Sequence, residues 1–463
     1  MTVLKVGLLP LYVELYDRTS PGARPRIENF YAAIARELQK RGLEVETVPV
    51  CRLESEFAEA VAAFEKAGVD AIVTLHLAYS PSLESAKALA ATALPIVVLD
   101  TTPTFEFGPE QDPAEVMFNH GIHGVQDMCN LLLRGGKAFQ IETGHFERSD
   151  VLDRAAGCVR AARAARGMQR ARIGRIGRAF AGMGDFAVPD DLLRATIGTS
   201  VVQWDPSAAG QFVPAPDSPE VAAEMAADAD TFHLDGLDAG LHRAAAQTCV
   251  AVRRWMERQD LDGFTMNFLA LDRAFGLPAV PFLEGCKAMA RGKGYAGEGD
   301  VLTAALIAGL AAAYPATTFT EMFCPDWAGE RVFLSHMGEL NIALTADRPR
   351  LMQRPFPFTD MGQAAVAVGR LRGGDAVLVN AAPGPDGSFT LITAPVEMLD
   401  VTGEDRFGEK VRGWFRPRVP LREFLKSYSL AGGTHHCALV YGASVDEILG
   451  TGALLGWGCR KIG

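Results

Sequence analysis

Apolar residues recur along this chain with two different periods, and the change of period marks its organisation. Four runs near the N-terminus, KVGLLPLYV (5–13), EVETVPV (44–50), AIVTLHLAY (71–79) and PIVVLDT (95–101), are rich in β-branched and apolar residues. Each predicts a short strand. Between them, IENFYAAIARELQKRG and EFAEAVAAFEKAG carry apolar residues at helical spacing and end on glycine, which predicts amphipathic helices with a glycine stop. Strands alternating with helices imply a parallel sheet with helices on both faces.

A basic, alanine-rich helix, DRAAGCVRAARAARGMQR, leads into ARIGRIG (171–177), the first strand of a second α/β unit. TSVVQWD, a helical stretch around 218–258, and GFTMNF (263–268) continue it. After Pro315 the period drops to two. ERVFLSHMGELNIAL, AAVAVGRL, DAVLVNAA, SFTLITAPVEML and THHCALVYG alternate apolar and polar positions, broken by PGPDG and by prolines. That pattern predicts a mostly antiparallel, barrel-like β region. The expected fold is therefore two doubly wound α/β domains, 1–168 and 169–316, followed by a β-rich C-terminal domain, 317–463.

Composition narrows the function classes only slightly. The 463 residues are 48% hydrophobic and 22% charged, as in an ordinary globular protein. The net charge of −11 speaks against a nucleic-acid partner, which needs clustered Lys and Arg. The eight cysteines contain no C-x-x-C and are scattered, so they read as reduced, mostly buried thiols of a cytoplasmic protein. The N-terminal apolar stretch lacks a basic leader with a small-residue cleavage site and reads as a strand. Val301–Tyr314 is too short to span a bilayer, so no membrane partner is expected.

One stretch, ARGKGYAGEGDVLTAALIAGLAAAY (290–314), holds a literal G-x-G-x-x-G at Gly292, Gly294 and Gly297. A dinucleotide loop needs a strand immediately before it. PFLEGCKAMAR has helical spacing instead, with Pro281 suited to a first turn. The nucleotide reading fails on that point. Asp300 stands where an N-cap for the following helix belongs. Glu298, two residues earlier among glycines, can project a carboxylate from a tight turn into a cavity.

Glu321 in TTFTEMF, His336 in VFLSHMGEL, and the pair His435 and His436 in AGGTHHCALVYG are candidates for the same cavity. Neighbours on a strand face opposite sides, so at most one of the pair is expected to join, and alternation does not choose which. Two Glu with one or two His form a mixed oxygen and nitrogen donor set suited to Mn²⁺, Co²⁺ or Zn²⁺. A buried His held in the core, or a Glu facing solvent, is the competing structural explanation for each residue taken singly.

Taken in order, GFTMNF, GYAGEGDVLTAAL, TFTEMF, LSHMGEL and LAGGTHHCALVYG resemble the L-arabinose isomerase family, with a weaker echo in MFNHGIHGVQD and ETGHF. The resemblance implies a three-domain aldose–ketose isomerase using Mn²⁺ (Co²⁺ or Mg²⁺ as substitutes). It forms trimers or hexamers with sites at subunit contacts. It places the metal ligands on Glu298, Glu321, His336 and His436, and the proton-transfer pair on Glu298 and Glu321. Phe268 falls in the substrate pocket, and His123 is lent to the site by a neighbouring subunit. Departures leave the sugar open. LPLYVELYD replaces a glutamine-containing stretch, His120 replaces a second glutamine, and TEMFCPDW replaces a more polar run after Glu321. L-arabinose and D-galactose lead. L-fucose or another deoxy or modified aldose, an epimerase using the same enediolate, and a non-catalytic sugar binder are the alternatives.

Overall fold

A computed structural model describes residues 3–463. The chain divides into two compact units, 1–163 and 164–463. The first is built on a parallel sheet in the order Leu43–Thr47, Leu4–Leu11, Ala71–His76, Ile96–Asp100, Phe139–Thr143. All four strands predicted from periodicity are present. The fifth, FQIET, has no fully buried residue and so no apolar run to announce it. Every residue of Ala71–His76 is buried, as a central strand covered on both faces requires. The helices Arg24–Lys40 and Glu54–Ala67 match those expected, and Gly68 closes the second with a φ of 68°.

The second unit begins with a parallel sheet ordered Gly294–Gly297, Gly263–Met266, Arg172–Ile176, Ser200–Gln203. Glycines pull its layers together. A Cβ on Gly263 would lie 2.5 Å from the carbonyl oxygen of Gly294, and one on Gly294 would lie 2.2 Å from that of Ala304. The helix Val301–Ala313 thus seats directly on the sheet and is buried around nearly its whole circumference. The helical stretch expected around 218–258 is two helices, Pro219–Thr231 and Ala239–Arg258. Gly236, at a φ of 62°, and the N-cap of Asp238 on Leu241 separate them.

The C-terminal region is a closed barrel. Its six strands run Gly374–Pro383, His436–Tyr441, Thr317–Asp326, Arg331–Ser335, Gly413–Pro417, Phe389–Met398, and the last pairs back to the first. Every pairing in the ring is antiparallel, so closure leaves no open edge within it. The strand expected over ERVFLSHMGELNIAL stops at Ser335. Glu339 ends it by taking the amide of Gly338 at 2.8 Å and the His336 ring at 2.5 Å, leaving His336 just beyond the strand. Among the described residues no helix is long and apolar enough to cross a membrane. All eight cysteines are free, and Cys51, Cys158, Cys249, Cys286 and Cys437 are buried.

Beneath the sheet lies a chain of buried ions. Lys287 reaches Glu224 at 2.6 Å and also Asp228, Arg253 grips Glu224 at 2.9 Å and Glu284 at 3.2 Å, and His242 meets Asp228 at 3.0 Å. Glu224, Cys249 and Glu284 lie close enough to be considered as metal ligands. Three cations, Arg253, Lys287 and Arg291, already pair with these carboxylates, so the cluster reads as structural. Burial raises the Glu224 carboxyl, but Arg253 and Lys287 outweigh it and hold it down to about 2. Against an ordinary value of 4.5, the stability Glu224 contributes is complete above pH 4.5 and is lost as pH falls towards about 2. Denaturant midpoints measured on Glu224→Gln are expected to fall less steeply than those of the parent across that window. Parallel curves would contradict the assignment.

Candidate metal centre

Four side chains converge where the second sheet meets the barrel. Ligand atoms of Glu298, Glu321, His435 and His436 all lie within 4.8 Å of one another. Glu321 stands on the barrel strand Thr317–Asp326, directly across from His436 on the neighbouring strand. Its Oε1 lies 2.9 Å from His436 Nε2 and 3.1 Å from His336 Nε2. His336 is therefore joined to the group through Glu321. Glu298 Oε2 lies 3.6 Å from Nε2 of both His435 and His436.

Both members of the histidine pair reach Glu298, contrary to the expectation that at most one joins. The strand starts at His436, so His435 precedes it and escapes the alternation. Asp185 then turns His435 inward, accepting from its backbone amide at 3.0 Å and pairing with its Nδ1 at 2.6 Å.

The glycine-rich stretch resolves as a carboxylate-aiming device. The helix Phe282–Ala290 precedes it, and Gly294–Gly297 is an edge strand, so no strand leads into the first glycine. A Cβ on Gly297 would lie 2.9 Å from His336 Cε1, so the backbone must be bare for the imidazole to fit. Glu298 then adopts a φ of 63° and Gly299 one of 82°. Left-handed backbone at a non-glycine residue is strained and persists only when its surroundings enforce it. Here the Phe180 amide donates to the Glu298 carbonyl at 2.9 Å, and the Gly299 amide to that of Met266 at 3.2 Å. Asp300 caps the buried helix through Thr303 N at 2.9 Å, as expected. Its second oxygen does more, holding His436 Nδ1 at 2.8 Å.

This second layer of carboxylates was not visible from the sequence. Asp300, Glu339 and Asp185 each hold the Nδ1 of one imidazole, leaving Nε2 to face the cluster. Carboxylate-backed histidines of this kind are typical of metal ligands. Phe186 stacks on His436 with centroids 4.8 Å apart, covering its ring.

The donor set fits a divalent cation. Glu298 Oε2 and His436 Nε2 are buried and without a hydrogen-bond partner. His436 Nε2 lies 2.9 Å from Glu321 Oε1 and 3.6 Å from Glu298 Oε2, so the three ligand atoms share one small space. Burial raises the Glu321 carboxyl, yet His336 and His436 hold it well below the usual carboxylate range. Burial lowers His336, and Glu339 and Glu321 more than reverse it. His436 is raised in the same way against burial, by Asp300 and Glu321. The Glu298 carboxylate, against burial and with help from Asp185, lifts His435 to about 9. An imidazole nitrogen ligates only when unprotonated, so a cation binding here would release any proton carried on Nε2.

Asp300→Asn keeps an oxygen for the helix cap but turns an amide N–H towards His436 Nδ1. That favours the tautomer with its proton on Nε2, which blocks ligation. We expect Mn²⁺ affinity, measured by calorimetric titration, to fall roughly 10–100-fold, with circular dichroism showing that the fold is retained. Unchanged affinity would show that the Asp300–His436 contact does not orient a ligand.

The other two expected site residues lie apart from the cluster. Phe268 is buried in a turn, its ring against Phe180, Phe282, Phe356 and Phe358. His123 belongs to the first unit, on the helix Gly121–Arg134, stacked at 4.6 Å on the ring of Tyr79. His120, close by, meets the Tyr16 hydroxyl at 3.0 Å.

Comparison with known proteins matches these segments to one family. Residues 220–313 fit the L-arabinose isomerase central domain and residues 316–456 the L-arabinose isomerase C-terminal domain, together just over half of the chain. The L-arabinose isomerase of Herpetosiphon aurantiacus is 28% identical over 346 residues, covering 71% of this chain and 68% of that protein. That of Shouchella clausii is 26% identical over 354 residues, with 74% and 71% covered. That of Thermotoga maritima is 25% identical over 419 residues, with 87% and 82% covered. With its central sheet and its barrel both matched, and the converging carboxylates and histidines carried by those same segments, this chain belongs to the L-arabinose isomerase family.

Proposed function

We propose that this protein is a divalent-metal-dependent aldose–ketose isomerase, an intramolecular oxidoreductase that converts L-arabinose to L-ribulose, D-galactose to D-tagatose, or both. The observation that carries the reading is the convergence of Glu298, Glu321, His435 and His436 around buried, unpartnered donor atoms. Family membership supports the reaction class. Glu298, Glu321, His336 and His436 are the proposed ligands, with His435 within reach as a further donor. Mn²⁺ suits this mixed set, with Co²⁺ or Mg²⁺ as substitutes.

Isomerisation moves a proton between C1 and C2 while the two oxygens exchange carbonyl and hydroxyl character. When bound, the cation polarises the carbonyl and offsets the negative charge that develops on its oxygen. The chain's own part is proton transfer and positioning. Glu298 presents Oε2, buried and unpartnered, and is placed to take the proton. Glu298 then returns that proton at the adjacent carbon, and Glu321, shared between two imidazoles, is placed to carry the hydroxyl proton from one sugar oxygen to the other. Asp300, Glu339 and Asp185 fix the imidazole orientations, and Phe186 keeps water from the outer face of His436. Phe268 supports the substrate pocket from behind Phe356 and Phe358.

The remaining assignments extend the same reading. His123 completes the site of a neighbouring subunit in a trimer or hexamer, and the enzyme works in the cytoplasm on a free sugar. The test is incubation with a panel of aldoses plus Mn²⁺, watching for ketose, with an EDTA-treated control. Ketose that forms only with metal supports the proposal. No ketose from any sugar would favour a non-catalytic sugar binder on this scaffold.

A further inference from the structure

Three imidazoles meet at the metal centre, and only one of them is open to an incoming molecule. The His336 side chain is 2% exposed and that of His436 is wholly buried, whereas that of His435 is 35% exposed. His336 is held at both nitrogens, by Glu339 and Glu321. His436 is held at Nδ1 by Asp300 and covered by Phe186. His435 Nε2 lies 3.6 Å from Glu298 Oε2, too far for a strong hydrogen bond.

Asp185 fixes this imidazole by two contacts. Its Oδ2 accepts from the His435 amide at 3.0 Å and pairs with Nδ1 at 2.6 Å. Phe186, the next residue, lies against the same ring with centroids 5.4 Å apart. The ring is held in one orientation, and Nε2 is the nitrogen presented beside Glu298. A carboxylate behind an imidazole sets its orientation and stabilises the imidazolium, the arrangement used where a histidine passes protons to and from a substrate.

The proposed reaction leaves one step without a residue. Aldoses rest in water almost wholly as cyclic hemiacetals, and proton exchange between C1 and C2 needs the open chain. Glu298 serves the carbons and Glu321 the two oxygens. We infer that His435, positioned by Asp185, opens the sugar ring. Nε2 of the imidazolium gives its proton to the ring oxygen as the bond from C1 to that oxygen breaks, the bonding pair staying on the oxygen. The same nitrogen then takes the proton of the C1 hydroxyl as the C1 carbonyl forms. The imidazole finishes as it began, and no co-reactant is consumed. This rests on the isomerase reading and adds a residue for the step that precedes isomerisation.

Ring opening can be read apart from isomerisation, because opening and reclosing exchanges the two anomers. Polarimetry on freshly dissolved α-D-galactose should show anomer exchange faster with the Mn²⁺-loaded protein than in buffer. His435→Gln should reduce that acceleration about 100-fold, and Asp185→Asn about tenfold. Both side chains are partly exposed, so neither change opens the core. The calorimetric Mn²⁺ affinity of both variants should stay within about threefold of the parent's, whereas disturbing a ligand would cost about 10–100-fold. A parent that forms ketose without accelerating anomer exchange, or full acceleration by His435→Gln, overturns the inference and leaves the isomerase standing. So does a loss of Mn²⁺ affinity of about tenfold or more in His435→Gln, which would make His435 a metal ligand. A parent that exchanges anomers through His435 yet gives no ketose from any aldose overturns the isomerase reading instead, and one that does neither overturns both.

Discussion

Glu321→Gln should abolish isomerisation, lowering kcat by about 10³-fold or more, and should weaken Mn²⁺ binding in the same protein. No other substitution is expected to affect chemistry as much, because Glu321 has two functions at once. Its Oε1 lies 3.1 Å from His336 Nε2 and 2.9 Å from His436 Nε2. An amide in that place removes the negative charge that both imidazoles face. It also removes one of the two carboxylates able to exchange protons with the sugar. Glutamine is close to isosteric, and Glu321 is on a strand paired on both sides, so the fold should survive. Ketose release and Mn²⁺ titration on the variant check both halves. A variant that retained metal and full activity would remove Glu321 from the mechanism.

Lys287→Met should cost about 3–5 kcal/mol of folding stability, the largest structural effect expected of any single change. Lys287 is only 9% exposed, and its ammonium serves Glu224 and the fully buried Asp228. Methionine preserves the stem's packing and deletes the charge. Arg253 continues to compensate Glu224 and Glu284, but Asp228 keeps only His242. A buried carboxylate left so poorly paired is far costlier than the lost attraction alone suggests. Urea unfolding provides the measurement. A second substitution, Asp228→Asn, should restore part of the loss because it removes the orphaned charge. A single variant as stable as the parent would mean that the network is solvated.

Local signals made much of this structure readable in advance. Three strands of the first unit, Leu4–Leu11, Ala71–His76 and Ile96–Asp100, are largely buried, mostly apolar runs, and Asp300 sits at the N-cap spacing that its bond to Thr303 confirms. The literal G-x-G-x-x-G could be set aside because the helix before it was legible. Two kinds of information were not local. Asp185 contacts His435 across 250 residues, and Asp300 contacts His436 across 136; no spacing rule links residues so far apart. Strand limits were the other gap. His336 was expected inside a strand and His435 under its alternation, yet both stand just outside. One extra or missing ladder position decides where such side chains point.

The account turns on a divalent cation held by Glu298, Glu321, His336 and His436 and needed for sugar isomerisation. The most direct measurement strips the protein with EDTA, then follows ketose formation from L-arabinose and from D-galactose while Mn²⁺ is added back in known ratio to protein. Activity should be absent at the start, rise with added metal and level off near one Mn²⁺ per chain, with His436→Ala failing to recover. Ketose formation by the stripped protein, or full recovery of His436→Ala at the same ratio, would contradict the account.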